Sequence, residues 1–331
     1  MSAYTGLKRR YDELIVLEDF TFSGGSARPI YNYYRHQIAT SNKKIKLLRL
    51  AYKYSTLKLI YFSLFSKNII VNGISCFQHW NIILLCYFRK DVIIYLHEAA
   101  PHTEPLAKKY PLKFKLFYKL LNKRKVAFVS EWQRQYFLNF ASIPMYKIIY
   151  NNINFPYVRP SDVNVITIAM IGYQSEIKNI SFFSRVADMA ANKQLPYEFI
   201  WVGGEGSNMK ELYHSPHVRW IGDQEHIMDT LNDIDVLLFT SYSDTFGLVL
   251  VEAMFKGKRI VSYVENGLAT FLTNLKGCRI YDRFDEVLVL NLINDVLKEE
   301  VDRQAHKELT YYLCDIGNFE KRLQELLAIP V

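Results

Sequence analysis

Val236-Leu-Leu-Phe239 is followed at once by Ser241-Tyr-Ser-Asp244-Thr-Phe-Gly247-Leu-Val-Leu-Val-Glu252-Ala-Met254. The first four residues read as a short buried strand, and the chain is predicted to enter a helix near Gly247. Asp244 then falls in the intervening loop, and Glu252 lies about a turn into the helix. Backbone N–H groups at a helix start lack intrahelical acceptors and sit at the positive end of the dipole, so they can hold a phosphate. A carboxylate further along can accept two hydrogen bonds from a vicinal diol such as a ribose. The bland alternative makes Asp244 an N-terminal charge stabiliser and Glu252 a solvated helix residue.

The same strand-then-helix pattern recurs outward in both directions. Upstream it appears at Leu14–Leu17, Ile69–Val71, Val92–Leu96, Val126–Val129 and Ile148–Tyr150. A second series runs Val165–Ile171, Phe199–Val202, Val218–Ile221, Val236–Phe239 and Ile260–Val264. Continuous apolar strands alternating with helices imply parallel sheets covered on both faces. Two series joined near 154–162, where Pro156 and Pro160 fall, give an α/β chain of two Rossmann-like lobes, 1–157 and 158–331. A final helix over 318–328, with Phe319, Leu323, Leu326 and Leu327 on one face, is expected to pack back on the first lobe. Neither lobe carries GxGxxG after its first strand, so no dinucleotide cofactor is indicated.

Charge divides the chain. Residues 1–150 carry 24 Lys and Arg against 8 Asp and Glu, a net of +16, whereas 151–331 carry 17 against 25, a net of −8. No carboxylate occurs between Asp19 and Asp91, a gap that holds Lys43, Lys44, Lys46, Arg49, Lys53, Lys58 and Lys67. A second block, Lys108, Lys109, Lys113, Lys115, Lys119, Lys123, Arg124 and Lys125, is interleaved with Tyr110, Phe114, Phe117 and Tyr118. Either block alone reads as a solvated helix face. Both in one half, with aromatics taken as exposed, point to an anionic membrane surface. No recognition motif accompanies the charge, so nucleic acid is not expected as a partner. The apolar runs Leu57–Phe65 and Ile82–Phe88 fall short of the ~18 residues of a spanning helix. The N-terminal residues, with Lys8, Arg9 and Arg10, lack the apolar run of a signal peptide. The four cysteines, Cys76, Cys86, Cys278 and Cys314, show no metal-ligand spacing. A cytoplasmic protein, peripheral to the inner face of a membrane, is expected.

With these segments in hand, the sequence resembles the retaining GT-B glycosyltransferases of family 4, the group 1 glycosyl transferases. Their signature is two glutamates with seven residues between them in a Glu-Gly-Phe-Gly…Glu-Ala-Met-like stretch; here Asp244-Thr-Phe-Gly247…Glu252-Ala-Met matches, with Asp in the first place. Gly172-Tyr173…Lys178-Asn179 is similar to the family's Gly-Arg, four residues, Lys, with Tyr173 in the Arg position. Gly203-Gly204-Glu205-Gly206 is similar to its Gly-Asp-Gly turn, and Gly24-Gly25…Arg28 to its glycine loop. His97, Val129-Ser130 and Asn151-Asn152-Ile-Asn154 resemble family strand ends in the first lobe.

The resemblance implies a fold of two Rossmann-like lobes facing a central cleft, and a nucleotide diphosphate sugar as donor. Lys178 would neutralise charge on the leaving diphosphate, assisted by N–H groups of Phe246, Gly247 and Leu248. Glu252 would bind ribose hydroxyls and Asp244 a hydroxyl of the transferred sugar. Gly24 and Gly25 would let the first-lobe backbone approach the donor or acceptor, His97 would face the sugar, and Glu205 would lie towards the base. Tyr173 removes one positive charge from the phosphate site; Arg28 is a candidate substitute. The implied acceptor is a glycan or a lipid-linked glycan, in bacterial-type surface polysaccharide synthesis, and a hexosyl or deoxyhexosyl group is the expected cargo. No metal and no cofactor beyond the donor substrate are expected. Asp233-Ile-Asp235 fits a metal-binding DxD pattern but abuts a buried strand. His97 and His102 are five apart, off a common helical face. The competing reading, supported by the missing arginine, is a non-catalytic binding subunit of a transferase complex.

Overall fold

Leu14, Ile15, Val16 and Leu17 are almost wholly buried, as a strand covered on both faces must be. They belong to β1 (Tyr11–Leu17) of the computed structural model, which describes residues 9–18, 27–52, 54–153, 155, 165–205, 212–224 and 227–330. The chain forms two units, Met1–Ile153 with Leu313–Val331, and Asn154–Tyr312. Gly24, Gly25, Gly206 and the junction prolines Pro156 and Pro160 lie outside the described residues.

In the first unit β1 is followed by α1 (Ala27–Thr40), β2 (Ile45–Arg49), α2 (Ser55–Phe65), β3 (Ser66–Asn72), α3 (Trp80–Phe88) and β4 (Val92–Leu96). Then come α4 (Ala100–Lys109), α5 (Pro111–Leu121), β5 (Lys125–Phe128), α6 (Glu131–Leu138) and β6 (Tyr146–Ile148). The sheet is parallel, in the order β2-β1-β3-β4-β5-β6. Ser130 caps α6 by accepting the Gln133 N–H, a contact of about 1 kcal/mol.

The second unit holds β7 (Ile166–Ile171), α7 (Ile180–Asn192), β8 (Tyr197–Val202), β9 (Val218–Gly222), the short α8 (Ile227–Thr230) and β10 (Val236–Phe239). After these come α9 (Leu248–Phe255), β11 (Arg259–Tyr263), the short α10 (Ala269–Leu272), β12 (Cys278–Tyr281), α11 (Glu286–Lys298) and α12 (Arg303–Cys314). Its sheet is also parallel, in the order β12-β11-β10-β7-β8-β9. Phe183, Val186 and Ala190 on α7 are buried, at the helical spacing that turns one face to a sheet. Phe183 meets Trp201 edge-on at 5.4 Å. Burying side chains of this size stabilises by roughly 1.5–3 kcal/mol each.

The last helix, α13 (Ile316–Ala328), belongs to the first unit. Asp315 caps it through the N–H groups of Gly317 and Asn318. Its Phe319 packs between Tyr33 and Tyr95, and Lys43 pairs with Glu320 at 3.3 Å.

The second basic block is not the surface the sequence suggested. Phe114 and Phe117 are fully buried core residues: their i, i+3 spacing sets them on one helix face, where Phe117 packs against Phe77 and Phe137. Arg124 and Lys125 are buried as well. Arg124 donates to the carbonyls of Cys86 and Tyr87, and Lys125 to that of Leu327. Burial lowers both pKa values from their usual range. Only Lys108, Lys109, Lys115, Lys119 and Lys123 of that block are exposed, with Lys113 half-buried.

Candidate functional site

Strand order reverses between β7 and β10, and open α/β sheets bind ligands beyond the strand C-termini at such a switch point. Two segments meet there: a single helical turn, Glu176–Lys178, after β7, and the Ser241–Gly247 loop after β10. They are tied by backbone and side chain. The Thr240 hydroxyl donates to the Lys178 carbonyl at 2.7 Å, and the Tyr242 N–H to the Ile177 carbonyl at 2.8 Å.

This tie sets the Lys178 ammonium 3.0 Å from Asp244 Oδ2 and 5.3 Å above the Phe239 ring. Asp244 Oδ1 accepts the N–H groups of Phe246 and Gly247, at 3.1 and 2.7 Å. Burial would raise the Asp244 pKa; the Lys178 charge and the three hydrogen bonds outweigh it and hold the carboxyl below the usual carboxylate range. Gly247 stands at the start of α9 with φ of 79°, where an added Cβ would meet Leu250 Cδ1 at 2.7 Å. Only glycine serves there without strain.

The expected residues therefore assemble in part. Lys178, Asp244, Phe246 and Gly247 form one hydrogen-bonded cluster, with Leu248 next in the chain. The amides of Phe246 and Gly247, offered to a phosphate on sequence grounds, are held by the Asp244 carboxylate in this structure. Glu252 is 4 % exposed, so it is not the solvated helix residue of the bland alternative. Tyr173 follows β7 and is half-exposed, bringing no charge. Glu205 is exposed and bridges to Gln174 in strand fashion. Gly203 has φ of 143°, and a Cβ there would lie 2.1 Å from the Gly172 carbonyl oxygen. It therefore makes the close approach of the β7 and β8 ends possible.

Two contributors were missed. Thr240 gives no signal within a buried strand end. Asn266 donates to Ser262 Oγ and the Tyr263 carbonyl and accepts the Leu268 N–H. It thereby fixes the loop whose Glu265 carbonyl accepts the Asp244 N–H. Asn266-Gly267 after a strand is a turn signal that would have found it.

Asp235 sits at the opposite, N-terminal end of the sheet. Its carboxylate accepts the Thr167 N–H at 2.8 Å, stitching β7 to β10. Among the described residues no group of three His, Cys, Asp or Glu is placed to hold a metal ion.

In the first unit the order reverses between β1 and β3. Near the strand ends, His97 Nε2 is 2.9 Å from Asn72 Oδ1. Burial drives the His97 pKa down to about 3, against a smaller upward pull from Asn151, so the ring is neutral. Glu98 accepts the N–H groups of Ile74 and His97 and joins the ends of β3 and β4. Glu18 and His79 pair at 2.7 Å beside them, a contact that residues so far apart in sequence do not announce. A neutral buried His97 has a measurable consequence. The unfolded chain binds a proton near pH 6.5 that the folded chain refuses until about pH 3. Stability is thus complete above the unfolded pKa and falls as pH drops below it, by at most about 1.4 kcal/mol per pH unit. His97→Gln is expected to flatten that slope in urea titrations between neutral and mildly acid pH. Parallel slopes would show that His97 titrates alike in the folded and unfolded chain.

With this geometry described, likeness to known proteins can be stated. Residues 163–288 match the family model described as Glycosyl transferases group 1. The fold is similar to Anabaena Alr3699/HepE, solved in complex with UDP and glucose: 14% identity, 97% of this chain and 100% of that one, TM-score 0.74. It is similar to the lipopolysaccharide outer core galactosyltransferase WaaB at 14% identity, over 96% and 99% of the two chains, TM-score 0.69. For sucrose-phosphate synthase from Thermosynechococcus elongatus the values are 14%, 96% and 95%, and 0.65. No curated protein matches the sequence. The chain has the two-lobe Rossmann-like α/β fold of these proteins, and the family match within its second unit supports a glycosyltransferase of group 1.

Proposed function

We propose that the chain is a retaining glycosyltransferase that moves a hexosyl-type sugar from a nucleotide diphosphate sugar to a glycan or lipid-linked acceptor, in surface polysaccharide synthesis. The observation that carries this reading is the Lys178–Asp244 pair at the switch point of the second sheet. Lys178 has three N–H donors, and Asp244 uses one of them. The others are available to the β-phosphate of a donor. Asp244 is oriented by three bonds, and a carboxylate has about four acceptor positions, so one is left for a sugar hydroxyl. The buried Glu252 on α9 is the residue assigned to the ribose. Complexes of HepE with UDP, UDP and glucose, and UDP-glucose support a UDP-sugar as the first donor to try.

As leaving groups depart, the anomeric C–O bond to the diphosphate breaks and the acceptor oxygen bonds on the same face. The departing phosphate oxygen takes the acceptor proton. Lys178 and the start of α9 stabilise the growing negative charge. In this reading no carboxylate attacks the sugar and no metal is required.

The test is a screen of UDP-, GDP- and dTDP-sugars for turnover, followed by NMR of the product with and without EDTA. The same anomeric configuration as the donor is expected, with activity surviving chelation. An inverted product removes the retaining assignment, and a strict metal requirement reopens the site's chemistry. Absence of turnover with every donor, while nucleotide still binds, would favour the binding-subunit alternative.

A further inference from the structure

Helices α2, α3 and α5 stand side by side in the first unit. Asn81 Nδ2 donates to Thr56 Oγ1 at 3.1 Å near the starts of α3 and α2. Arg89, just beyond α3, donates to the carbonyls of Ser63 and Ser66 at the end of α2. On the other side, Lys113 of α5 lies 5.5 Å from the Trp80 ring of α3.

Helix α3 is apolar at every position but Asn81, a composition that normally marks a helix enclosed by protein. Here only Ile82, Ile83 and Cys86 are buried. Trp80, Leu84, Tyr87 and Phe88 are exposed, Phe88 by 76 %, and Leu57 and Ile60 of α2 join them. Clustered apolar exposure of this kind marks an interaction surface. The three helices carry Lys58, Lys113, Lys115 and Lys119 and not one Asp or Glu. A second copy docking by two-fold symmetry would bring this lysine-bearing face against itself. An anionic bilayer offers the opposite charge and an apolar layer beneath it, while Trp80 and Tyr87 are side chains suited to the boundary.

We propose that the α2–α3 face is a membrane-docking surface, in which Leu57, Ile60, Leu84 and Phe88 enter the headgroup–acyl boundary of an anionic membrane and the flanking lysines meet its phosphates. The surface differs from the two basic blocks with interleaved aromatics expected from the sequence: apolar residues of α2 and α3 supply the insertion, and α5 supplies charge at its border. None of the helices among the described residues is long and apolar enough to cross a membrane; in this proposal the contact is made by the α2–α3 face. The inference does not depend on the sugar-transfer reading.

The full chain is sedimented with phosphatidylcholine vesicles, with and without phosphatidylglycerol, at low and high salt. Wild type is expected to prefer the anionic vesicles. Leu84→Glu with Phe88→Glu is expected to weaken partition at least ~10-fold, given the transfer free energy of two large apolar side chains. Lys115→Glu with Lys119→Glu is expected to remove the anionic preference at low salt. Both pairs involve exposed residues, and circular dichroism checks that each variant is folded. Unchanged partition in Leu84→Glu/Phe88→Glu overturns the proposal. A wild-type dimer that this variant converts to monomer, with vesicle binding equal in both, also overturns it and assigns the face to a second copy. Loss of vesicle binding by Leu84→Glu/Phe88→Glu with donor turnover retained supports membrane docking.

Discussion

Lys178→Ala is expected to lower sugar transfer at least ~100-fold, the scale seen when a charge-stabilising group is removed from a leaving oxyanion. The size follows from the way the ammonium is held. Its backbone is anchored by Thr240 and its charge is paired with Asp244 at 3.0 Å, so little reorganisation is needed as charge develops. Removal also leaves Asp244 with burial pushing its pKa up and no ammonium to offset it. Asp244→Asn keeps the side chain's size and an acceptor for the Phe246 and Gly247 amides, so a smaller loss is expected than for Lys178→Ala. The double variant should cost less than the product of the singles, because the two residues act as one unit. Steady-state rates with the best donor, beside circular dichroism, check this. A folded Lys178→Ala with turnover within a few-fold of wild type would sink the catalytic assignment.

Gly203→Ala is expected to destabilise the chain by about 3 kcal/mol or more. The added Cβ would lie 2.1 Å from the Gly172 oxygen and 2.6 Å from its carbonyl carbon. Both obstacles are backbone at the end of β7, so no side chain can rotate away. The φ of 143° adds strain that alanine rarely accepts. The Gly172 carbonyl also accepts the Trp201 indole N–H at 2.9 Å, so displacing it disturbs a core aromatic. Urea denaturation measures the loss; a change under about 1 kcal/mol would mean the two strand ends separate easily.

Much of this architecture is legible in the chain because central parallel strands must be apolar on both faces. Val92–Leu96 and Val236–Phe239 are such strands, and both coincide with the observed β4 and β10. Helix α3 is equally plain, since Trp80–Phe88 is apolar at every position but Asn81. The strands that escaped are at sheet edges. In Ile45–Arg49 and Cys278–Tyr281, charged residues replace apolar ones where one side meets solvent, as edge strands commonly do. The first therefore looked like part of a basic block. The site divides along a similar line. Asp244, Gly247 and Lys178 belong to local patterns, and a local pattern is what a sequence displays. Thr240 on Lys178, and Glu18 on His79, are pairings made by the fold between distant segments. The misread aromatics of α5 show the converse: lysines at 113, 115 and 119 suggested a wet face, yet Phe114 and Phe117 between them turn inward.

The first unit is assembled from two stretches of the polypeptide that flank the second unit, with Phe319 of α13 wedged against Tyr33 and Tyr95. On the ribosome these partners are separated by the whole of the second unit. The strands of the first unit are made before the second unit, but the covering their tyrosines receive from α13 comes only after the second unit has been made. The second unit has all its strands by residue 281 and its closing helices by 312. Order of synthesis and order of completion are therefore inverted between the two units: the one started earlier is completed later, and until then it is the one a chaperone would have most reason to hold.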